Sequence, residues 1–201
     1  MKPYLLAFFL FMAVSFDGFT QDYVRAFAGV GFATNTGIEK NAEKLNLIYC
    51  LGLEIGGKIT QNSNMNLDVV FQQKGFKTED DSKNYSVIDF TYVETSILYQ
   101  HSFYLSKDIS WNFKIGPYLG FWQGGRQTIV VNGEKYKSAL DYNSESYSVL
   151  DLGAIAALGL EIKRINLEFR YGFGVSDLDL SSDNKSFNRS LQVLFGYRFD
   201  L

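Results

Sequence analysis

The chain has 201 residues, 46% hydrophobic and 16% aromatic, with 18 Gly, 2 Pro and a formal net charge of -3. That is one domain's worth of sequence, and its near-balanced charge, with no basic patch, offers no footprint for nucleic acid. Abundant Tyr, Phe and Gly beside scarce Pro favour strands over helices, and a single cysteine, Cys50, excludes an intrachain disulfide or a multi-cysteine metal site.

At the N-terminus Lys2 precedes an apolar stretch from Tyr4 to Val14 that is too short to span a bilayer. Gly18-Phe19-Thr20 then offers a small-residue cleavage context before Gln21. Residues 1–20 are therefore expected to be a cleaved signal peptide, and 21–201 the mature domain. No cysteine follows the apolar run, so a lipid anchor is not expected. The remainder contains no run of about 18 apolar residues, so a membrane form of the mature chain must be a closed β-barrel, which leaves no backbone group unpaired in lipid.

The mature chain divides into eight predicted strands, at 22–35, 45–60, 64–78, 86–105, 109–127, 147–162, 165–177 and 187–200. In the second, Leu45, Leu47, Tyr49, Leu51, Leu53 and Ile55 share a face opposite Asn46, Cys50, Gly52, Glu54 and Lys58. The fifth sets Trp111, Phe113, Ile115, Leu119 and Phe121 against Asn112, Lys114, Gly116 and Tyr118, and the seventh sets Ile165, Leu167, Phe169, Tyr171 and Phe173 against Asn166, Glu168, Arg170, Gly172 and Gly174. The last strand alternates Leu191, Val193, Phe195, Tyr197 and Phe199 with Ser190, Gln192, Leu194, Gly196 and Arg198, and it stops almost at the C-terminus. A period of two places one face against an apolar phase and the other against a polar one.

Links after the second, fourth and sixth strands are short (Gln61-Asn62-Ser63, Ser106-Lys107-Asp108, Lys163-Arg164), and the others are longer and polar. This is the sidedness of an outer-membrane barrel, with short periplasmic turns and long external loops. The longest loop, Thr128 to Ser146, contains Asn132-Gly133, a type I′ turn signal, so an external hairpin is expected there. The fold class is all-β: an eight-stranded antiparallel up-and-down transmembrane barrel.

Either face could in principle point inward, since a soluble lipocalin-like barrel encloses its apolar face. Gly-rich polar faces, isolated charges of both signs, and Trp111, Tyr197 and Phe199 near strand ends favour the membrane arrangement. The lumen would then receive Arg25, Lys58, Lys114, Arg170 and Arg198 together with Glu54, Asp68, Glu94, Asp151, Glu161 and Glu168. Buried charges must pair, so these residues predict a structural network that plugs the barrel, with Lys114 as the expected partner of Glu94. Cys50, on the same inward face, reads as a small core residue.

Catalytic signals are sparse. His101 is the sole histidine, and adjacent Ser102 points to the opposite face of its strand, so the two do not form a nucleophile–base pair. Glu161 and Glu168 lack an accompanying cleft signature, and nearby arginines explain them more plainly than acid/base chemistry. Gly29 and Gly31 sit in a strand with no helix behind them and so form no phosphate loop. Asp177, Asp179 and Asp183 lack the closing Glu of a calcium loop. No cofactor, metal or catalytic residue is expected.

Five segments, FQQKGFKT at 71–78, YVETSILYQ at 92–100, IGPYLGF at 115–121, LDLGAIAALGLE at 150–161 and FNRSLQVLFGYRF at 187–199, resemble in order and spacing the PorT-like outer-membrane β-barrel family of Bacteroidetes. The chain departs from that pattern at Ser96, where such proteins often carry Pro. The resemblance implies a small Gram-negative cell-envelope barrel with a signal peptide, and its namesake is linked to the type IX secretion and gliding machinery. It brings no catalytic residues. The expected function is non-enzymatic: a plugged barrel in the bacterial outer membrane, bathed in outer-membrane lipid, with external loops for a protein or glycan partner. The alternatives are an outer-membrane lipid-modifying enzyme, a narrow solute transporter, or a soluble periplasmic lipid carrier with the faces reversed.

Overall fold

The computed structural model describes residues 21–36, 43–81, 83–140, 147–178 and 185–201. The expected signal peptide lies outside the described residues. The strands are β1 (Tyr23–Thr36), β2 (Glu43–Lys44), β3 (Asn46–Lys58), β4 (Ser63–Asp81), β5 (Asn84–Tyr104), β6 (Ile109–Val131), β7 (Glu134–Leu140), β8 (Leu150–Ile162), β9 (Ile165–Gly174) and β10 (Phe187–Asp200).

Eight of them close a ring. β1, β3, β4, β5, β6, β8, β9 and β10 each pair antiparallel with their chain neighbours, and β10 returns to β1 in register from Tyr23↔Asp200 to Thr36↔Phe187. This is an eight-stranded antiparallel barrel of up-and-down order. Closure leaves no sheet edge within the ring, the condition for a β-structure to lie in hydrocarbon. No helix among the described residues is long and apolar enough to cross a membrane.

The alternation dictates the orientation of every strand. In β9 the residues are exposed and buried by turns, with Ile165, Leu167, Phe169, Tyr171 and Phe173 outward and Asn166, Glu168, Arg170, Gly172 and Gly174 inward. β10 repeats it, exposing Leu191, Val193, Phe195 and Tyr197. A protein whose large apolar side chains are exposed while its charges are buried is built for a hydrocarbon surround.

Short connections lie at one end, after β3, β5 and β8, together with Asp22 and the C-terminal Leu201; by the sidedness of such barrels this end is periplasmic. At the other end the strands differ from expectation. β4 and β5 are separated by residues 82–83 alone rather than by a long polar loop, and β6 continues to Val131 instead of stopping at residue 127. β7 then folds back on β6, from Gly125↔Leu140 to Val131↔Glu134. β8 starts at Leu150 rather than 147, and β9 ends at Gly174 rather than 177. The ladder bonds between β4, β5, β6 and β7 continue well past the apolar band, so three hairpin strands and β7 form a sheet that projects outside the membrane. β2 joins that sheet on β4 through Glu43↔Thr78 and Lys44↔Lys77. There Glu79 accepts ion pairs from Lys77 (2.8 Å) and Lys44 (3.0 Å), which hold its carboxyl below the ordinary carboxylate range.

The hairpin turn itself is Asn132-Gly133, with φ of 52° and 86°. Both positions require the left-handed region, as a type I′ turn demands. Gly133→Val should cost the hairpin about 1–2 kcal/mol. The expected result is faster amide exchange at Lys135 and Tyr136 with unchanged heat-modifiable migration of the barrel on gels.

Candidate functional site

The interior is the most densely organised polar region of the protein. Its centre is a six-membered charge cluster contributed by five strands. Arg25 from β1 reaches Glu54 of β3 (2.6 Å) and Glu168 of β9 (3.0 Å). Lys114 from β6 reaches the same two carboxylates at 2.6 and 2.9 Å. Arg170 of β9 bridges Asp68 of β4 and Glu168, each at 2.7 Å. All six side chains are at most 3% exposed. Three cations face three carboxylates, so the cluster is neutral in sum, and the multiple charge-assisted bonds offset the desolvation that each ion suffers. The Tyr23 hydroxyl donates to Glu54 at 3.1 Å and lies 3.0 Å from Asn66, linking the cluster to a polar layer on the periplasmic side where Asn66 donates to Gln100 (2.9 Å).

A second cluster lies toward the external end. Lys74 of β4 reaches Glu94 of β5 (2.6 Å) and Asp151 of β8 (2.8 Å), and its ammonium stands 4.1 Å from the centroid of the Tyr118 ring. Asp151 also accepts from Asn188 at 3.0 Å and from the Tyr118 hydroxyl at 3.2 Å. Beyond it the lumen turns apolar. Phe76, Ile88, Phe90, Tyr92, Trp122 and Leu178 pack into one buried group, with Leu140 and Tyr147 against it. Phe90 meets Trp122 and Tyr147 edge-on at 5.8 and 5.1 Å. This aromatic plug closes the external mouth above the ion pairs.

The sequence-predicted charges are thus distributed over distinct places. Arg25, Glu54, Asp68, Lys114, Glu168 and Arg170 share the central cluster, and Glu94 and Asp151 share the external one. Three expectations need correction. Lys58 is exposed at the periplasmic end of β3, although its register with β4 runs unbroken to Lys58↔Asn64, and its backbone N–H donates to Asp22 (2.6 Å). Glu94 is paired with Lys74, not Lys114. Glu161 and Arg198 bond one another, half-buried at the periplasmic rim, so Glu161 does not join Glu168. Lys74 was not anticipated, although it continues the inward parity of Asp68, Val70 and Gln72.

Cys50 is buried among Phe27, Val70 and Leu194. Ser102 points inward and accepts from Gln100 (3.0 Å), as alternation requires. His101 nonetheless has a hydroxyl partner that sequence reasoning missed. Ser63, its register partner on β4, places Oγ 3.1 Å from His101 Nδ1 and 2.9 Å from the Tyr99 hydroxyl. No carboxylate bonds His101 among the described residues. Asp177 accepts from the Ser186 backbone N–H at 2.9 Å, and Asp179 and Asp183 lie outside the described residues. Among the described residues no three His, Cys, Asp or Glu are grouped to hold a metal.

Solved structures similar to this chain include Ail, the attachment invasion locus protein of Yersinia pestis, at 14% identity with a TM-score of 0.45, covering 90% of this chain and 100% of that one. The outer membrane enzyme PagL matches at 14% identity and a TM-score of 0.49, covering 86% and 98%. OprG of Pseudomonas aeruginosa matches at 12% identity and a TM-score of 0.41, covering 90% and 98%. No curated protein matches the chain. The model of the outer membrane protein beta-barrel domain family matches residues 19–180. With a closed ring of strands, an apolar outer wall and this match over most of its length, the chain belongs to the outer membrane protein beta-barrel domain family, in the bacterial outer membrane.

Proposed function

We propose that this protein is a non-enzymatic outer-membrane barrel whose external hairpins present a docking surface to a protein or glycan partner of the cell envelope. The observation that carries this reading is the filled interior. The Arg25–Glu54–Lys114–Glu168 ion pairs cross the lumen and the Phe90–Trp122 plug covers them, so a passage would require breaking buried charge pairs. What remains accessible is the projecting sheet of β4 to β7, and loops and hairpins on a rigid scaffold are where recognition is usually placed. The PorT-like resemblance of the strand segments accords with a cell-envelope role.

Planar bilayer recording is the first test, and no unitary currents of porin size are expected. Such currents would favour the narrow-transporter alternative instead. An affinity tag placed within residues 141–146 then allows the intact envelope complex to be recovered. Co-purification of a defined protein or glycan, lost on deleting β7, supports the docking role.

The Ser63–His101 contact favours one second reading, a lipid-modifying enzyme, because it brings a hydroxyl to the sole histidine on the lipid-facing wall. Against it stand the lack of a carboxylate on His101 among the described residues and the sharing of Ser63 Oγ with Tyr99, which describe an interfacial hydrogen-bond cluster rather than an activated nucleophile. His101→Ala should therefore leave complementation of a deletion strain and the acyl pattern of outer-membrane lipid unchanged. Loss of an acyl-chain modification in that strain would establish the enzymatic reading.

A further inference from the structure

On the outer wall, where β5 and β6 rise out of the membrane, the strand pair is interrupted twice. The first interruption is a bulge. Tyr92 pairs with Trp122 and Thr91 with Gly124, so Gln123 is the extra residue, and the strands there carry Gly124 and Gly125 without side chains. A hydrophilic groove of about 390 Å³ results, lined by Gln73, Asp89, Thr91, Gln123 and Arg126, with Phe71 at its border. Asp89 is occupied by Asn46, whose Nδ2 donates to it at 2.6 Å. Arg126 has no ion pair among the described residues, and Lys137, register partner of Thr128, stands on the same face of the projecting sheet.

The second interruption lies toward the periplasm on the same two strands. Between the register pairs Ser96↔Tyr118 and Tyr99↔Ile115 the ladder is open. Pro117 has no N–H to offer, and at Gly116 a Cβ would stand 1.9 Å from the Ile97 carbonyl oxygen, so only glycine permits this approach. The gap leaves a groove of about 260 Å³ on the lipid-facing wall, lined by Thr95, Ile97, Pro117, Leu119, Phe121 and Leu152. Tyr118 also borders it, with its hydroxyl turned to Asp151, and the Thr95 hydroxyl has no hydrogen-bond partner among the described residues.

Thr91 at the upper groove and Thr95 at the lower are four residues apart on β5, about 13 Å along the strand. On β6, Phe121 borders the lower groove and Gln123 the upper. A polar recess, whose guanidinium has no ion pair among the described residues, therefore stands directly above an apolar recess at acyl-chain depth, both open to the bilayer. That is the polarity profile of one amphiphile seen from the side.

We propose that the β5–β6 seam is a binding site for a phosphate-bearing lipid of the outer leaflet. Arg126, with the amides of Gln73 and Gln123, takes the phosphate, and one acyl chain lies in the groove over Pro117. Planar guanidinium donors suit phosphate oxygens; Asp89, the register partner of Arg126 in the same groove, has one carboxylate oxygen taken by Asn46 (2.6 Å) and makes no ion pair with Arg126 among the described residues. This proposal rests on the membrane placement and stands apart from the partner-docking role, since the lipid would bind with or without an envelope partner.

The test is native mass spectrometry of the barrel released from detergent micelles containing dioleoyl phosphatidic acid, dioleoylglycerol or inorganic phosphate. The wild type should retain phosphatidic acid well above dioleoylglycerol, and millimolar inorganic phosphate should not displace it. Arg126→Gln, an exposed substitution, should weaken retention roughly tenfold, the value of one charged hydrogen bond. Thr95→Trp, which fills the lower groove from the lipid side, should weaken it as well. Heat-modifiable migration verifies that each variant is folded. Undiminished retention in Arg126→Gln or in folded Thr95→Trp would overturn the site, and complete displacement by inorganic phosphate would reduce it to a free-anion site without a lipid component.

Discussion

Glu168→Ala should destabilise the barrel by about 3–5 kcal/mol, the cost of breaking a buried charge network by removing one partner. Glu168 is the one carboxylate that touches all three cations of the central cluster: Arg25 at 3.0 Å, Lys114 at 2.9 Å and Arg170 at 2.7 Å. Its loss leaves three cations with Glu54 and Asp68 alone, in a lumen where neither water nor a mobile counter-ion replaces it cheaply. Glu168→Gln keeps the volume and a carbonyl acceptor but not the charge, so its cost should fall between the alanine variant and the wild type. Equilibrium unfolding in guanidinium, with the barrel in lipid vesicles, measures all three. Exposed Glu134→Ala, on the external hairpin, should change stability by no more than about 0.5 kcal/mol. A loss below about 1 kcal/mol for Glu168→Ala would mean that the lumen is solvated well enough to screen its ions.

The same cluster shows what a sequence discloses and what it conceals. That Lys114, Glu94 and Glu168 face inward follows from parity alone, because a strand offers two faces and the apolar one is unmistakable in β6, β9 and β10. Which charge meets which does not follow. The register partner of Lys114 on β5 is Gln100, whereas Glu94 faces Gly120, six residues farther along β6. Two inward charges on neighbouring strands can therefore stand at different heights, a consequence of the shear that closes a barrel. Parity also carried Lys74, which lies within the third predicted strand, but its pairing with Glu94 and Asp151 depends on strand heights that parity does not give. Ser63 was hidden for another reason: its contact with His101 depends on the length of two periplasmic turns. The turn signal at Asn132-Gly133 made the external β6–β7 hairpin legible, but the continuation of β4 to Asp81 and of β5 from Asn84 was not, because the polar residues there read as a loop while their backbone bonds are made between β4, β5 and β6. Lys58 shows the limit of parity at a strand end: it keeps the register of Glu54 and Gly56, opposite Asn64, but sits at the periplasmic end of β3 and is exposed there.

The sharpest test of which face meets lipid uses two adjacent residues. Leu158 of β8 is 57% exposed, and Ala157 beside it is buried, in register with Lys114 and Arg170. Leu158 lies four residues from Ile162 at the periplasmic turn, about 13 Å along a tilted strand and so near the middle of the apolar band. Leu158→Arg should cost about 2–4 kcal/mol, because a guanidinium at that depth must be dragged into hydrocarbon or reach an interface by deforming the bilayer. Ile162→Arg, on the same face at the turn, should cost about 0–1 kcal/mol. Ala157→Arg should also be destabilising, but for a different reason: it forces a large side chain and a fourth cation against Lys114 and Arg170 in a filled lumen. Bilayer thickness separates the two causes. Shorter-chain lipids bring the interface closer to residue 158 and should reduce the Leu158→Arg penalty, while the Ala157→Arg penalty should not move. If Leu158→Arg were tolerated in thick and thin bilayers alike, the apolar face would not be the lipid face, and the barrel would have to be turned inside out as a soluble carrier.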